Sequence, residues 1–352
     1  MAERPSIGDT AAGRGAPPAR RPAVGITLGD AAGIGPEIVV KLFHAGLPER
    51  TVVYGDAGVL RATAGWLGLS GAVRIQPLED AVLAKHEPGL IQVLNRWQAL
   101  PADLAPGRLS AQAGRGAYEY LCHAIDDACA GRLRAIVTAP LNKEAMHAGG
   151  ADYPGHTEIL AERTGTEHYA MMLANKELRV ILVTIHMGLA EVSARITPQA
   201  ELATIRLAHQ ACLQAGVRHP RVAVAGLNPH AGESGRFGLE EIRVIEPAIG
   251  QARAEGIDAS GPWPGDTIFM RARRGEFDIV VAQYHDQGLI PVKYMGVDEG
   301  VNVTVGLPFV RTSVDHGTAF DIAGRGIADP ASLRAAYDLA LAMTPADTSA
   351  RA

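Results

Sequence analysis

Short apolar runs rich in β-branched residues alternate along the chain with Ala- and Leu-rich stretches of helical periodicity. Val24–Leu28 is predicted to be a strand, and Ile38–His44 a helix that follows it after a glycine-rich loop. Thr51–Tyr54 and Leu60–Leu67 repeat this strand and helix pair, and residues 112–130 have apolar positions three or four apart. Such alternation predicts parallel βαβ units, with active sites beyond the carboxyl ends of the strands.

Four later apolar runs each stop abruptly at polar residues. They are Ala135–Pro140 (followed by Asn142 and Lys143), Val180–His186, Val222–His230 and Ile279–Asp286. If these runs are parallel strands buried on both faces, three of them bring a histidine to the same edge of the sheet: His186, His230 and His285. Three converging imidazoles predict a metal site with an open coordination position. The alternative is that the histidines cap strand ends and hydrogen-bond a substrate.

Composition narrows the class of protein. At about 150 residues per domain, 352 residues predict two domains, and the 47% apolar content is enough for a large core. The net charge of −5 argues against a broadly basic nucleic-acid surface. No apolar run reaches the roughly 18 residues of a membrane span, and the N-terminus lacks a signal-peptide core. We therefore expect a cytoplasmic protein without nucleic-acid or membrane partners, and residues 1–23 as a disordered tail.

Two glycine-rich loops and one polar loop are candidate ligand sites. Residues 29–37 precede a helix N-terminus, which offers free amides to an anion, but a structural turn is the default interpretation. Residues 228–235 allow the same two interpretations, and neither loop has a dinucleotide-binding or P-loop fingerprint. Arg311 and Lys293 suit a phosphate or carboxylate, with solvated loop charge as the alternative. Only five of the 33 basic residues are lysines, so each lysine raises the question of a specific need for an ammonium group.

Four motifs, in order, resemble the 4-hydroxythreonine-4-phosphate dehydrogenase family of pyridoxal phosphate biosynthesis. They are Pro154–Glu158, Asn228–Glu233, Tyr284–Gly288 and Arg311–Thr318. The resemblance runs from about Gly25 to Leu341, and Gly33–Glu37 and His316–Gly324 are also similar to isocitrate and isopropylmalate dehydrogenases. That wider group implies an α/β protein of two α/β/α domains with a cleft between them, without a Rossmann fingerprint. The first domain is expected to comprise residues 24–135 with 300–345, and the second residues 136–299.

The resemblance also implies roles for residues at the family's motif positions. The expected ligands of a divalent metal (Zn²⁺, Mg²⁺ or Co²⁺) are His186, His230 and His285. The expected substrate-binding residues are His156, Thr157, Lys293, Asn302 and Arg311. The adenosine half of NAD or NADP is expected at His316, Gly317, Thr318 and Asp321. The candidate catalytic residues are Lys293, Asp286 and Asp266, the first two as candidates for the base that takes the hydroxyl proton.

The implied reaction is the NAD-dependent, metal-assisted oxidation of the C3 hydroxyl of 4-phosphohydroxy-L-threonine, with loss of CO₂ to give 3-amino-2-oxopropyl phosphate. Family members are homodimers whose site is completed at the interface. The sequence Asp321–Gly324 is similar to a sister branch that oxidises 4-phospho-D-threonate or 4-phospho-D-erythronate, so these substrates stay open. A metal-dependent phosphatase or lyase using the same histidines also stays open. A binding module without turnover is disfavoured by the many titratable groups at strand ends.

Overall fold

The computed structural model describes residues 21–296 and 300–344 of the chain. Twelve strands lie in this part: β1 (Ala23–Thr27), β2 (Thr51–Tyr54), β3 (Arg74–Pro77), β4 (Leu90–Leu94), β5 (Leu133–Thr138), β6 (Ala170–Ala174), β7 (Arg179–Leu182), β8 (Arg221–Ala225), β9 (Asp258–Trp263), β10 (Ile279–Ala282), β11 (Val301–Val305) and β12 (Val310–Val314). Its α-helices are α1 (Gly35–His44), α2 (Ala57–Trp66), α3 (Ala111–Cys129), α4 (Lys143–Ala148), α5 (His156–Thr164), α6 (Leu189–Arg195), α7 (Pro198–Gln214), α8 (Glu246–Ala254), α9 (Ile268–Arg273), α10 (His285–Tyr294) and α11 (Ala331–Ala342). Within these residues, no helix combines the length and the apolar character that crossing a membrane requires.

The strands form one sheet in the order β3-β4-β2-β1-β5-β12-β11-β6-β7-β10-β8-β9. Both outer parts are parallel, as the alternation of strands and helices predicts. The centre departs from this prediction, because β11 is antiparallel to both β12 and β6, and β6 is antiparallel to β7. The connections of residues 175–178 and 306–309 are too short for a parallel crossover. Since the sheet is continuous, the division into two domains stays a prediction.

Strands β7, β8 and β10 are buried on both faces, as their apolar runs predict. Alternate side chains enter two different cores, because strand side chains have a period of two. One core holds Ile181, Val222, Val224, Ile279 and Val281 together with residues of α7. The other holds Val180, Leu182, Ala223, Ala225, Val280 and Ala282 together with residues of α9 and α10. These three strands are parallel neighbours, so their carboxyl ends meet at one edge.

Several element boundaries differ from the prediction. The predicted tail reaches residue 23, but Ala23 already pairs with Leu133 in β1; residues 1–20 lie outside the described residues. Helix α1 begins at Gly35 rather than Ile38, because a proline is well accommodated in the first helical turn. Helix α2 begins at Ala57 rather than Leu60, because the side chain of Asp56 caps it by accepting a hydrogen bond from the Val59 amide.

Candidate active site

A cavity of about 400 Å³ lies where β5, β7, β10 and β12 end. It brings together all five residues assigned to substrate, two of the three assigned to metal and two of the four assigned to cofactor. These are His156, Thr157, His186, His285, Lys293, Asn302, Arg311, His316 and Gly317. Because they come from strands, helices and loops that are distant in sequence, the fold itself assembles this set. Asp266, Asp286 and His230 line a different groove, and the individual roles stay predictions.

Arg311 is a buried cation in the wall of this cavity. Its Nη1 donates to Thr304 Oγ1 at 3.0 Å and its Nη2 to Thr138 Oγ1 at 2.6 Å. Among the described residues, its Nε has no hydrogen-bond partner and no carboxylate forms an ion pair with it. Burial lowers the pKa of Arg311 to about 9, so the guanidinium remains charged at neutral pH. Its hydrogen bonds go to neutral hydroxyls, and Glu158, which also lines the cavity, acts on it by charge without forming an ion pair. Such a guanidinium suits an anionic group of a ligand.

His156 and Lys143 lie at the same end of the cavity as Arg311. Desolvation, followed by the charges of Arg311 and Lys143, lowers the pKa of His156 well below its ordinary value. The ring is therefore neutral at pH 7, so it offers a ligand one nitrogen as a hydrogen-bond donor and the other as an acceptor. Three groups that favour a negative charge thus surround one end of the cavity.

Lys143 has no role in the sequence prediction, although it follows the one strand end of the four that lacks a histidine. It is the first residue of α4, where the helix dipole opposes a positive charge. In the described part of the chain its ammonium forms no ion pair or hydrogen bond. The Lys143 side chain is exposed and lines the cavity, so its ammonium is available to an anion bound there. The signal available in the sequence was that Lys143 is one of only five lysines in the chain.

The two candidates for the base are each held by a neighbour. The ammonium of Lys293, on α10, forms an ion pair of 2.9 Å with Asp315, which follows β12. Asp286 Oδ1 lies 2.7 Å from His285 Nδ1. A carboxylate bound at Nδ1 favours the tautomer that leaves Nε2 as a metal or substrate ligand. Asp286 therefore orients His285 in this structure.

The three histidines fall into two groups. The rings of His186 and His285 have centroids 5.8 Å apart. Two imidazoles that bind one tetrahedral ion at about 2.1 Å have centroids roughly 5 Å apart, so this pair fits a shared cation. His230 lies in the other groove, against Phe237. Within one chain's described residues, no three His, Cys, Asp or Glu side chains are placed to hold a metal ion. The three-histidine site stays a prediction.

The loop that carries His230 has a strained backbone. His230, Ala231, Glu233 and Ser234 all have φ between 44° and 57°, which costs about 1–3 kcal/mol for each non-glycine residue. Both oxygens of buried Glu241 hold this loop, accepting hydrogen bonds from the main-chain and side-chain nitrogens of Asn228 at 2.7 and 3.0 Å. Because such strain clusters at binding sites, it favours the ligand-binding interpretation of residues 228–235 over a simple turn.

The first glycine-rich loop packs closely against two other loops. Gly29 has a φ of 67°, and a Cβ there would lie 2.1 Å from the Pro140 carbonyl oxygen. A Cβ at Gly33 would lie 2.8 Å from the Thr318 Cβ, and the Ile34 amide donates to the Thr318 carbonyl oxygen at 3.0 Å. This contact favours a structural turn and buries Thr318. The loop of residues 316–324 reaches a second cavity of about 610 Å³ at Gly324, whereas its Asp321 is exposed.

Comparisons with known proteins agree with this architecture. Residues 48–340 match the family described as pyridoxal phosphate biosynthetic protein PdxA. The chain is 56% identical over 316 residues to 4-hydroxythreonine-4-phosphate dehydrogenase from Beijerinckia indica, covering 90% of this chain and 93% of that protein. It is 49% identical over 316 residues to D-threonate 4-phosphate dehydrogenase from Cupriavidus necator, covering 89% and 94%.

A solved structure extends the likeness to the fold. The crystal structure of 4-hydroxythreonine-4-phosphate dehydrogenase from Klebsiella pneumoniae matches with a TM-score of 0.85 and 43% identity, covering 92% of this chain and all of that one. The protein is therefore an oxidoreductase of the dehydrogenase class with a mixed α/β fold. The chain belongs to the PdxA family, and the family and fold class predicted from its sequence are confirmed.

Proposed function

We propose that the protein oxidises a secondary alcohol of a four-carbon acid phosphorylated at C4, with NAD or NADP as the hydride acceptor. The observation that carries this proposal is the buried Arg311 without a carboxylate partner, in one cavity with Lys143, His156 and a pair of histidines. The cationic end suits the phosphate or carboxylate of the substrate. The histidine end suits the alcohol that reacts.

The first candidate substrate is 4-phosphohydroxy-L-threonine, the substrate class in the name of the 56% identical relative. Oxidation of its C3 hydroxyl gives a β-keto acid, which loses CO₂ to give 3-amino-2-oxopropyl phosphate for pyridoxal phosphate biosynthesis. The 49% identical relative supports 4-phospho-D-threonate as the second candidate, with 4-phospho-D-erythronate beside it. The candidates differ at C2 in whether an amine or a hydroxyl is present, and they share the phosphate and the reacting alcohol.

In the mechanism we propose, Arg311 and Lys143 bind the anionic groups, and His156, Thr157 and Asn302 orient the substrate by hydrogen bonds. Lys293 or Asp286 takes the hydroxyl proton as hydride leaves for nicotinamide. Asp266 lies with Asp286 in the neighbouring groove and keeps a supporting role in this proposal. When bound by His186 and His285, a divalent cation (Zn²⁺, Mg²⁺ or Co²⁺) supplies Lewis-acid chemistry.

We also propose a homodimer in which a second copy completes the site. Ile290 and Tyr294 line the groove of His230 and are 62% and 92% exposed, and Phe237 against the His230 ring is 44% exposed. Large apolar side chains grouped in this way are typical of an interaction surface. His230 of a second chain would then supply the ligand that one chain does not bring to His186 and His285.

For the cofactor we propose a path along residues 316–324. His316 and Gly317 line the substrate cavity, and Gly324 lines the 610 Å³ cavity with Trp66 and Gly33. This loop is a continuous connection between the two cavities, so the nicotinamide would lie in the first and the adenosine in the second. Thr318 is buried and supports the loop. Asp321 is exposed, so its carboxylate is available to a ribose hydroxyl.

The test is a screen for NADH or NADPH formation at 340 nm. The substrates are 4-phosphorylated L-threonine, D-threonate and D-erythronate, each with added Zn²⁺, Mg²⁺ or Co²⁺. We expect reduction of the nucleotide with at least one substrate, and its loss in Arg311→Met but not in Arg274→Met, which changes an exposed arginine that does not line the cavity. Phosphate release without any nucleotide would instead identify a phosphatase, and binding without turnover would overturn the enzymatic proposal.

A further inference from the structure

A buried polar network lies beneath the strand ends that carry the three histidines. Its centre is Gln283, at the end of β10, which is not exposed to solvent. The side-chain Nε2 of Gln283 donates to Glu201 Oε1 at 3.1 Å and to the carbonyl oxygen of Ala225 at 2.9 Å. Glu201, on α7, is also fully buried. One amide group therefore connects helix α7 to the ends of β8 and β10.

The backbone of Gln283 extends the network to the third strand end. Its carbonyl oxygen accepts hydrogen bonds from the Thr184 amide at 3.2 Å and from Thr184 Oγ1 at 2.7 Å. Its amide donates to Gln287 Oε1 at 2.6 Å, and Gln287 Nε2 donates to the Gly226 carbonyl oxygen at 2.8 Å. The network thus joins the segments that follow β7, β8 and β10.

Each of these segments leads directly to a histidine. His186 comes two residues after Thr184, His285 two residues after Gln283, and His230 four residues after Gly226. The separation between the histidine-bearing segments is therefore set by hydrogen bonds of fixed length and direction. Apolar packing alone is less directional, so it would place the strand ends less accurately.

Filling this part of the core with a polar network is energetically less favourable than filling it with apolar side chains. Glu201 Oε2 and Gln283 Oε1 are buried and have no hydrogen-bond partner among the described residues. Each buried acceptor without a donor has lost its hydrogen bonds to water without a replacement. Replacing such groups with apolar side chains of similar volume is often neutral or stabilising. Stability alone therefore gives no reason for a carboxyl group at position 201, whereas accurate placement of the histidines does.

We propose that Glu201 is a positioning residue for the histidine site: through Gln283 it holds the segments that carry His186 and His285 at a fixed separation, and it fixes the segment that carries His230, which lies in the neighbouring groove, relative to that pair. This inference rests on the proposed metal-binding role of the histidines. Glu201 contacts neither substrate nor metal in this arrangement. Removing it should loosen the histidines while the chain remains folded, and the loss should appear first in metal affinity.

The test is a Co²⁺ titration of the metal-free protein, followed by the visible absorption of the bound ion. Glu201→Leu should weaken Co²⁺ binding by at least tenfold, in the range found for groups that support metal ligands. Glu201→Gln should bind within threefold of wild type, because its amide oxygen still accepts a hydrogen bond from Gln283. Thr204→Val is the matched control: Thr204 is buried on α7 one turn away, and within the described residues its hydroxyl bonds only the Ala200 carbonyl oxygen. Its affinity should not change.

The outcomes separate this inference from the proposed function. His186→Ala must lose the Co²⁺ absorption that wild type shows; a wild type that binds no Co²⁺ overturns the metal site and this inference together. A wild type that binds, with Glu201→Leu unchanged or Thr204→Val equally weakened, overturns this inference alone. If Glu201→Leu does not fold, Gln283→Met takes its place, since it removes the side-chain hydrogen bond through which Glu201 acts and leaves the backbone hydrogen bonds of residue 283 intact. That variant should also bind Co²⁺ at least tenfold more weakly, and unchanged binding overturns the inference.

Discussion

Glu201→Gln should change how the stability of the protein depends on pH. Burial raises the pKa of Glu201 from its ordinary 4.5 to about 7. The folded protein therefore binds this proton more tightly than the unfolded chain does. Its contribution to stability is fully present below pH 4.5 and is lost as the pH rises through 7.

The magnitude follows from the pKa difference. Each pKa unit corresponds to about 1.4 kcal/mol, so ionising Glu201 inside the fold costs about 3 kcal/mol at pH 8. A glutamine has the shape of the protonated acid and accepts the same hydrogen bond from Gln283, but it does not ionise. Relative to wild type, Glu201→Gln should therefore gain about 3 kcal/mol of unfolding free energy between pH 4.5 and pH 8.

The assay is urea unfolding of wild type and Glu201→Gln at several pH values from 4.5 to 8. The quantity of interest is the difference between the two proteins at each pH, because the other carboxyl groups titrate equally in both. Glu79→Gln changes an exposed glutamate and should show a constant difference over this range. A difference for Glu201→Gln that does not grow with pH would show that Glu201 is ionised in the fold at neutral pH, and the reasoning from burial would be wrong.

Three further predictions concern the candidate site. Lys143→Met should raise KM for the phosphorylated substrate at least tenfold, with a smaller effect on kcat. Lys85→Met, at an exposed lysine, should change neither constant. If Lys143→Met and wild type have equal KM values in steady-state kinetics, Lys143 does not bind the anion. Lys293→Arg should lower turnover at least tenfold, because a guanidinium is wider and cannot act as a base; a near-normal rate would reduce Lys293 to a replaceable anion contact. Tight metal binding, measured by Co²⁺ absorption, should be abolished in each of His186→Ala, His230→Ala and His285→Ala. Double variants should be scarcely worse than single ones, because ligands of one ion act as a unit. Additive losses with metal still bound would show that these residues are not its ligands.

Local patterns in the sequence determined much of the fold. Apolar runs that stop at polar residues predicted β7, β8 and β10 and the histidines beyond their ends, because the period of a strand and the burial of a parallel sheet are written in neighbouring residues. The family motifs, also local, predicted the α/β class and the substrate-assigned residues that line the cavity. The antiparallel centre of the sheet was missed, since only the short connections 175–178 and 306–309 signal it.

Tertiary structure alone decided the electrostatic state of the site. Arg311 meets Thr138, 173 residues away, and lacks a carboxylate because of what the fold packs around it. Glu201 and Gln283 are 82 residues apart, and their hydrogen bond depends on how α7 covers the sheet. His230 lies outside the His186–His285 pair because its own loop directs it into another groove. Burial, desolvation and the pairing of distant charges depend on contacts between remote segments. Periodicity along the chain does not reveal those contacts, because it reflects only neighbouring residues.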